Sequence, residues 1–470
     1  MQMRNLAFRG LRLPRLGAMM QSGGQEALFS PADLFTGSET GVFYDVSDLS
    51  SMNTGPDQSG SVPAIGDVVG FIADKSSNGN HAVQATAAAR PTYQTGPARA
   101  TIDGVDDRLL VTVPAGGFTG TMVLATDQGT ASYGVNIPAG AYDIGGRGGL
   151  YFPGTALVGQ LIRDGALSDG EAAATEAYFV GEGATAGYGS VTDFVDYWRD
   201  WSEITSFPLI DTSSGTDFTR AWQNCSSLTS LPLIDTSSGT GFGQAWRGCT
   251  SLTSFPLIDT SSGTSFGYAW LNCSSLTSFP LIDTSAGTNF SLAWFKCSSL
   301  TSFPLIDTSA GTNFTQAWRD CTSLTSFPLI DTSAGTDFTN AWQNCTSLTS
   351  FPLIDTSAGT NFTQAWRGCT SLTSFPANAF DNVKGGNFTD AFTNTALTET
   401  SIDNVLVSLV TSGIATGTRV FDQSGGSAPS STGEAAIDTL RSRGWTVTVT
   451  GGYSPTINTG YSYRTEQINP

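Results

Sequence analysis

The stretch CTSLTSFPLIDTSAGTDFTNAWQN (residues 321–344) decides the fold of this chain, because it recurs almost unchanged from about 201 to 368. A degenerate copy follows and runs through about 394. Self-similarity at a fixed short period is the signature of an array in which each unit stacks on its neighbours. We therefore expect a solenoid of eight coils of the 24-residue type over residues 201–394.

The seven cysteines mark the period, because neighbouring cysteines are always 24 residues apart. They are Cys225, Cys249, Cys273, Cys297, Cys321, Cys345 and Cys369. An odd number at one spacing predicts a column of equivalent buried positions rather than disulfides. Zinc would need clustered ligands, and the only histidine, His81, is far away in sequence. We expect reduced thiols that pack as small hydrophobic groups.

Within one unit, Phe338, Ala341, Trp342 and Cys345 are spaced i, i+3, i+4, i+7. This spacing predicts a short helix or 3₁₀ segment with these four side chains facing inward. Seven of the ten tryptophans fall in the Trp342 column. We interpret the column as a core ladder, and the alternative is an exposed stripe on which carbohydrate would stack.

The apolar segment 324–331 is short and bounded by turn residues, which predicts the strand of each coil and a parallel sheet along one side. Pro328 has no N–H, so it suits the start of a strand or an irregular stretch. The next residues form a turn whose aspartates should stack about 5 Å apart. Their repulsion is offset either by backbone N–H groups of each turn or by calcium between neighbouring carboxylates, for which Asp259, Asp283 and Asp307 are the candidates.

The copies differ at the positions equivalent to 339, 340, 343 and 344, which are predicted to point outward. We call the columns of Asn340 and Gln343 the variable face. The first contains Arg220, Gln244, Tyr268, Leu292, Gln316, Asn340 and Gln364, and the second contains Gln223, Arg247, Leu271, Phe295, Arg319, Gln343 and Arg367. Tyr268, Leu271, Leu292 and Phe295 should form an exposed apolar patch with arginines and amides at its edge. Such a patch indicates an interface. The alternative is neutral drift on a solvated surface. The candidate binding residues are Arg220, Gln244, Arg247, Tyr268, Leu271, Leu292, Phe295 and Arg319.

Charge and hydropathy exclude several classes. The net charge is −19, which has the wrong sign for binding nucleic acid. No apolar run is long enough for membrane insertion. The N-terminus carries Arg4, Arg9, Arg12 and Arg15, which interrupt every apolar run and leave no secretory signal peptide. We expect synthesis in the cytoplasm, and we interpret residues 1–35 as a basic attachment arm, the alternative being a disordered tail.

The repeat resembles the leucine-rich repeats of BspA-like bacterial surface proteins, since the Cys-Ser/Thr-Ser-Leu-Thr-Ser and Asp-Thr-Ser blocks recur in the full copies. The unit is somewhat shorter than in that family and has Ala-Trp where Met-Phe is usual. Proteins similar to this one occur as surface adhesins and, in the short tryptophan-containing form, as bacteriophage virion proteins. The resemblance therefore implies display of the array on a surface.

Residues 36–185 read as short strands between Gly, Asn and Asp turns, which predicts a β-sandwich. The order of the blocks at 41–52, 74–84, 89–93 and 102–109 resembles concanavalin-like (laminin-G-like) jelly rolls. His81, Asp106 and Asp107 are the only tempting catalytic residues there, and no nucleophile elbow, phosphate loop or metalloprotease motif accompanies them. We expect no enzymatic activity.

Residues 186–200 are predicted to be a linker and N-terminal cap of the array, 395–452 an α/β C-terminal cap, and 453–470 a polar tail. In the cap we expect a helix with Ser401 as its N-cap and a second helix that ends at Gly444. The predicted fold class is therefore mainly β with short helices: a jelly-roll-like sandwich, a leucine-rich-repeat solenoid and a small α/β cap.

These features together predict a bacteriophage virion protein, a tail-fibre, tail-tip or head-fibre component. It would dock to other virion proteins through its arm and bind a host-surface glycan or protein through the variable face, without a required cofactor. A homotrimer is an alternative to a monomer, by similarity to phage fibres. The other functions considered are a bacterial adhesin, a purely structural component and a polysaccharide-degrading spike, which would need a pair of carboxylates in a cleft.

Overall fold

The structure is a computed structural model, and it describes residues 41–45, 51–54, 58, 61–63, 71–72, 82–83, 92–94, 99–101, 109–113, 118–126, 130–137, 140–144, 156–164 and 191–453. Within these residues the chain has many short strands and two α-helices, both close to the C-terminus. This low helix content agrees with the predicted mainly-β class.

The strands up to and including the one in the first repeat unit form two antiparallel sheets. They are β1 (Gly41–Asp45), β2 (Met52–Asn53), β3 (Phe71–Ile72), β4 (Ala82–Val83), β5 (Thr92–Gln94), β6 (Arg99–Thr101), β7 (Leu109–Val113), β8 (Phe118–Thr126), β9 (Thr130–Ile137), β10 (Gly140–Ile144), β11 (Ala156–Asp164) and β12 (Ile204–Ser206). The larger sheet has the order β12-β9-β8-β11-β6-β5, with β1 also paired to β11, and the smaller has the order β10-β7-β4-β3-β2. Because β12 pairs with β9, the larger sheet is continuous with the start of the repeats.

Each repeat unit is hydrogen-bonded to the next through alternate backbone amides. Phe290 N donates to Asn313 O at 2.9 Å, and Trp294 N donates to Ala317 O at 2.9 Å. The intervening amides donate within the unit, as Ala293 N does to Phe290 O at 3.1 Å. The backbone N–H groups of this segment are thereby paired without a continuous helix or ladder.

The predicted helix over 338–345 is wrong, because this segment is a run of turns. Asn340 and Asn344 have φ of 57° and 60°, in the left-handed region. Equivalent residues in the other full units have the same conformation. Two left-handed residues four positions apart prevent a right-handed helix. The inward orientation that the spacing predicted is nevertheless confirmed, since Phe338, Ala341 and Trp342 are all fully buried.

The predicted strand over 324–331 is also wrong, because no strand forms there. Thr325 N donates to Thr301 O of the preceding unit at 3.2 Å, and Pro328 has no N–H with which to extend the pairing. Isolated parallel bridges join the units instead, and the regular ones lie just before the phenylalanine column, as between Asn313 and Asp337.

The tryptophan column is a stacked core ladder, as predicted. From Trp222 to Trp366, neighbouring indole rings lie 5.4–5.5 Å apart. Every ring in this series is fully buried, which contradicts the alternative of a carbohydrate-stacking stripe. Phe392 continues the ladder and stacks on Trp366 at 4.9 Å.

The cysteine column is buried, and its seven thiols are free, as predicted. The Cys297 thiol donates to the carbonyl oxygen of Trp270 at 3.3 Å. Burial raises the pKa of Cys297 to about 12, so the thiol stays protonated at neutral pH. A protonated, inaccessible thiol behaves as a small apolar group in the core.

A buried threonine column, which the sequence analysis did not identify, ties the units together. The Thr284 hydroxyl donates to Asp307 O of the next unit at 2.5 Å, and Thr260 donates to Asp283 O in the same way. Both threonines are fully buried. Each unit thus carries a hydroxyl that satisfies a carbonyl of its neighbour.

Both ends of the array are extended beyond the predicted repeats. Phe194 stacks on Phe218 at 5.2 Å and Trp198 stacks on Trp222 at 5.1 Å, so residues before 201 already occupy the core columns. At the other end, β13 (Gly386–Phe392), β14 (Arg419–Gln423) and β15 (Thr446–Thr448) form a three-stranded parallel sheet.

Helices α1 (Glu399–Ser412) and α2 (Ser431–Ser442) belong to this C-terminal part. The prediction of Ser401 as N-cap is wrong, because Thr398 caps α1 and accepts a hydrogen bond from Ser401 N. Ser401 is buried and its hydroxyl accepts from Phe375 N at 3.0 Å, so its side chain ties α1 to the last units.

Candidate functional site

The first column of the variable face has an unusual backbone conformation. Gln244, Tyr268 and Leu292 have φ of 59°, 61° and 53°. For residues other than glycine the left-handed conformation costs roughly 1–2 kcal/mol, and it is most easily adopted by Gly and Asn. The hydrogen bonds between units impose this backbone shape, since Tyr268 N donates to Ser291 O at 2.8 Å. The side chains of this column are therefore not those that the backbone would favour.

The predicted apolar patch lies at the surface but is less exposed than expected. Tyr268 is exposed, with 39% of its surface accessible, whereas Leu271, Leu292 and Phe295 are half-buried. The units are only about 5.5 Å apart, so each side chain is partly covered by the same column of its neighbours. The prediction that all four are exposed is correct only for Tyr268.

Two cations lie over the Phe295 ring. The Lys296 amine is 5.2 Å from the ring centroid, and the Arg319 guanidinium is 5.5 Å from it. Arg319 also donates to Gln316 Oε1 at 3.0 Å. The patch therefore combines an aromatic surface with positive charge on an acidic chain.

The arginines at the edge of the patch are held by neighbouring side chains. Arg220 donates to both carboxylate oxygens of Asp196, at 2.6 and 2.8 Å. This hydrogen-bonded pair lowers the pKa of Asp196 and raises that of Arg220. Arg247 donates to Gln244 Oε1 at 3.0 Å. These contacts fix the guanidinium groups in position rather than leaving them free in solvent.

The prediction that Gln343 points outward is wrong, as it is for Gln223 in the same column. They are 8% and 4% exposed. The Oε1 atoms of both, and Asn340 Oδ1, are buried and accept no hydrogen bond within the described part of the chain. A buried acceptor without a donor costs stability, and because these oxygens are covered they present no acceptor to a ligand at the surface.

The turn aspartates are bonded as the first of the two alternatives predicted. Each carboxylate accepts from the backbone N–H of the serine two residues later, as Asp259 and Asp283 do at 3.0 Å and Asp307 at 2.9 Å. Hydrogen bonds from Ser261 lower the pKa of Asp259, and those from Ser309 lower that of Asp307. Among the described residues, no group of three His, Cys, Asp or Glu is placed to hold a metal ion. Calcium at these carboxylates stays a prediction that nothing else supports.

An exposed leucine column is a surface that sequence reasoning missed. Seven leucines, one per full unit, are between 51% and 73% exposed: Leu209, Leu233, Leu257, Leu281, Leu305, Leu329 and Leu353. The isoleucine after each is buried, and the aspartate after that is exposed. The sequence did carry a signal for this column. Leu, Ile, Asp and Thr alternate along the chain between the surface and the core, with Leu and Asp exposed and Ile and Thr buried. We call the column with its aspartates the leucine–aspartate stripe.

Several predicted residues lie outside the described part of the structure. These are the arm residues Arg4, Arg9, Arg12 and Arg15, and the catalytic candidates His81, Asp106 and Asp107. In the part that is described, no helix has both the length and the apolarity needed to cross a membrane. No known protein-family profile matches the chain, and a search of curated proteins found no match.

Proposed function

We propose that this protein is a bacteriophage virion structural component, a tail-fibre, tail-tip or head-fibre protein, that recognises the host surface through its repeats. In this proposal the stacked units are a leucine-rich-repeat solenoid similar to BspA-like proteins. The two antiparallel sheets are a concanavalin/laminin-G-like sandwich. The arm of residues 1–35 attaches the protein to other virion proteins, and the protein has no catalytic role.

The observation that carries the proposal is the choice of side chains at the left-handed positions of the variable face. A column selected for folding alone would contain glycine or asparagine at such positions. This column instead contains Arg220, Gln244, Tyr268 and Leu292 at successive units, each with a positive φ. The cost of this conformation, roughly 1–2 kcal/mol per residue, favours retention of these side chains for binding.

The chemistry of the face supports a ligand with both apolar and polar parts. Tyr268 and the Phe295 ring offer flat surfaces, and Arg319 adds a positive charge. The half-buried side chains of Gln244 and Gln316, which accept from Arg247 and Arg319, add amide groups to the same face. A glycan presents CH faces and hydroxyl donors that fit this combination, and so does a polar protein loop.

Binding of labelled protein to whole bacterial cells of a strain panel tests the proposal. The test variant combines Tyr268→Gly, Leu271→Ser, Leu292→Gly and Phe295→Ser. The two glycines relieve the cost of the left-handed backbone, so we expect the fold to survive, which thermal unfolding checks. The control variant combines Leu257→Ser, Leu281→Ser and Leu305→Ser, on the leucine–aspartate stripe.

We expect the native chain and the control variant to bind the same strains, and the test variant to lose binding. Equal binding by the test variant would move recognition away from the variable face. If the native chain binds no cells but is incorporated into particles, the protein is a decorative virion component. Secretion to the surface of the producing bacterium would instead indicate an adhesin.

A further inference from the structure

The leucine–aspartate stripe shows no variation among the full units, although it is exposed. Leucine occupies its column in all seven full units, and aspartate follows two residues later in each. The variable face, in contrast, uses five residue types in its first column. The exposed columns of Thr277 and Ser278 are equally invariant, so the property that distinguishes the stripe is an invariant large apolar side chain at the surface.

Core packing does not account for the leucine column. Leu281 is 63% exposed, and the core is filled by its neighbour Ile282, which is 2% exposed. An exposed leucine in one unit needs no explanation, but seven in register form a continuous apolar surface of the kind that marks an interface. The exposed carboxylates follow this surface from unit to unit, because each exposed leucine is separated from an exposed aspartate by a single buried isoleucine.

Charge decides what kind of partner fits the stripe. A second stripe packed face to face would bring two columns of carboxylates together in a chain of net charge −19. No salt bridge in the described part of the chain involves a carboxylate of the stripe. The complementary partner is therefore a segment in which cationic and large apolar side chains are interleaved.

We propose that residues 1–16 of a neighbouring copy of this chain bind along the leucine–aspartate stripe. This segment contains Arg4, Arg9, Arg12 and Arg15, four of the 21 basic residues of the whole chain. Between the arginines it carries Leu6, Phe8, Leu11 and Leu13, and Leu16 follows the last one. The arginines pair with the aspartates, and the leucines and the phenylalanine cover the leucine column.

The stripe is similar in length to residues 6–16, the part of the segment that carries its leucines and phenylalanine. Six steps of the 5.4 Å ring spacing make the stripe about 32 Å long. Residues 6–16 span about 35 Å when extended, at about 3.3–3.6 Å per residue. The inference rests on the attachment role proposed for the arm and names the surface to which it attaches, while the receptor site on the variable face is independent of it.

A peptide-binding experiment tests the inference on the full-length protein. The receptor carries Arg4→Glu, Arg9→Glu, Arg12→Glu and Arg15→Glu, so that its own arm does not compete. The probe is a fluorescein-labelled peptide with the sequence of residues 1–16, and its anisotropy measures binding. The stripe variant adds Leu257→Ser, Leu281→Ser and Leu305→Ser, and the matched control adds Leu271→Ser and Leu292→Ser on the variable face.

We expect the peptide to bind the receptor and the control equally, and the stripe variant about tenfold or more weakly. Binding should also weaken from 0.1 M to 1 M salt, over which the Debye length falls from about 10 Å to about 3 Å. A charge-matched peptide with serine in place of its leucines should bind poorly.

Three outcomes would overturn the inference: no binding of the peptide, equal binding to the stripe variant, or equal binding of the serine-containing peptide. The cell-binding experiment does not depend on any of these results. If the peptide fails while the native chain still binds cells through the variable face, the proposed function stands without this attachment site.

Discussion

Replacement of Trp294 is the most direct test of the core ladder. Its ring stacks on Trp270 at 5.5 Å and on Trp318 at 5.4 Å, and Phe303 meets it edge-on at 4.8 Å. Trp294→Ala removes a fully buried ring, a change that costs about 3–5 kcal/mol in a core. We expect the upper part of that range, because two stacked pairs are lost at about 0.5–1.5 kcal/mol each.

Trp294→Phe is the matched control. It keeps an aromatic ring in the ladder, as Phe392 does naturally at the equivalent place. It also removes the indole N–H, which is buried and donates no hydrogen bond in the described structure. Removing an unpaired donor recovers part of the lost burial energy, so we expect a cost below about 2 kcal/mol.

Urea unfolding followed by far-UV circular dichroism measures both costs. In an array, each unit depends on its neighbours, so Trp294→Ala should also lower the m-value by uncoupling the two halves. A loss below about 1 kcal/mol for Trp294→Ala, or an equal loss for both variants, would refute the ladder as the main source of stability.

Three further predictions concern the thiols, a glycine and the turn carboxylates. Cys297 and its equivalents should not react with a disulfide reagent at pH 8 in the native protein and should all react in denaturant, because burial raises their pKa; rapid native reaction would contradict this. Gly287→Ala should cost about 1–3 kcal/mol, since a Cβ there lies 2.7 Å from Phe290 Cζ, while Gly243→Ala, with no atom nearer than 3.9 Å, should be nearly neutral in urea unfolding. The pKa of Asp259 is lowered in the folded protein, so its carboxylate stabilises the fold above its ordinary pKa of 3.8. This contribution is lost as pH falls through the pKa of the folded state. Urea midpoints that stay constant down to pH 3 would count against this prediction.

The periodic core was predictable from sequence because it depends on spacing alone. Phe338, Trp342 and Cys345 recur at fixed intervals, and any compact stacking of the units must bury such columns. The local conformation was not predictable in the same way. The i, i+3, i+4, i+7 pattern fits both a helix and a run of turns that returns every few residues to the core.

The second left-handed position did carry a signal that was missed. Its column contains Asn224, Gly248, Asn272 and Asp320, residue types that adopt a positive φ readily. The first position carried none, since Tyr268 and Leu292 give no hint of that backbone. The burial of Gln343 also depends on the neighbouring units, which a single repeat does not reveal.

The uniform contact between neighbouring units has a consequence for the length of the protein. Because each unit meets the next through the same hydrogen bonds and ring contacts, gain or loss of a whole unit leaves every remaining junction unchanged. Unequal recombination between the nearly identical copies would therefore change the chain in steps of 24 residues. Each step moves the C-terminal end by about 5.4 Å along the array. The reach of the array can thus be altered without any new core having to evolve.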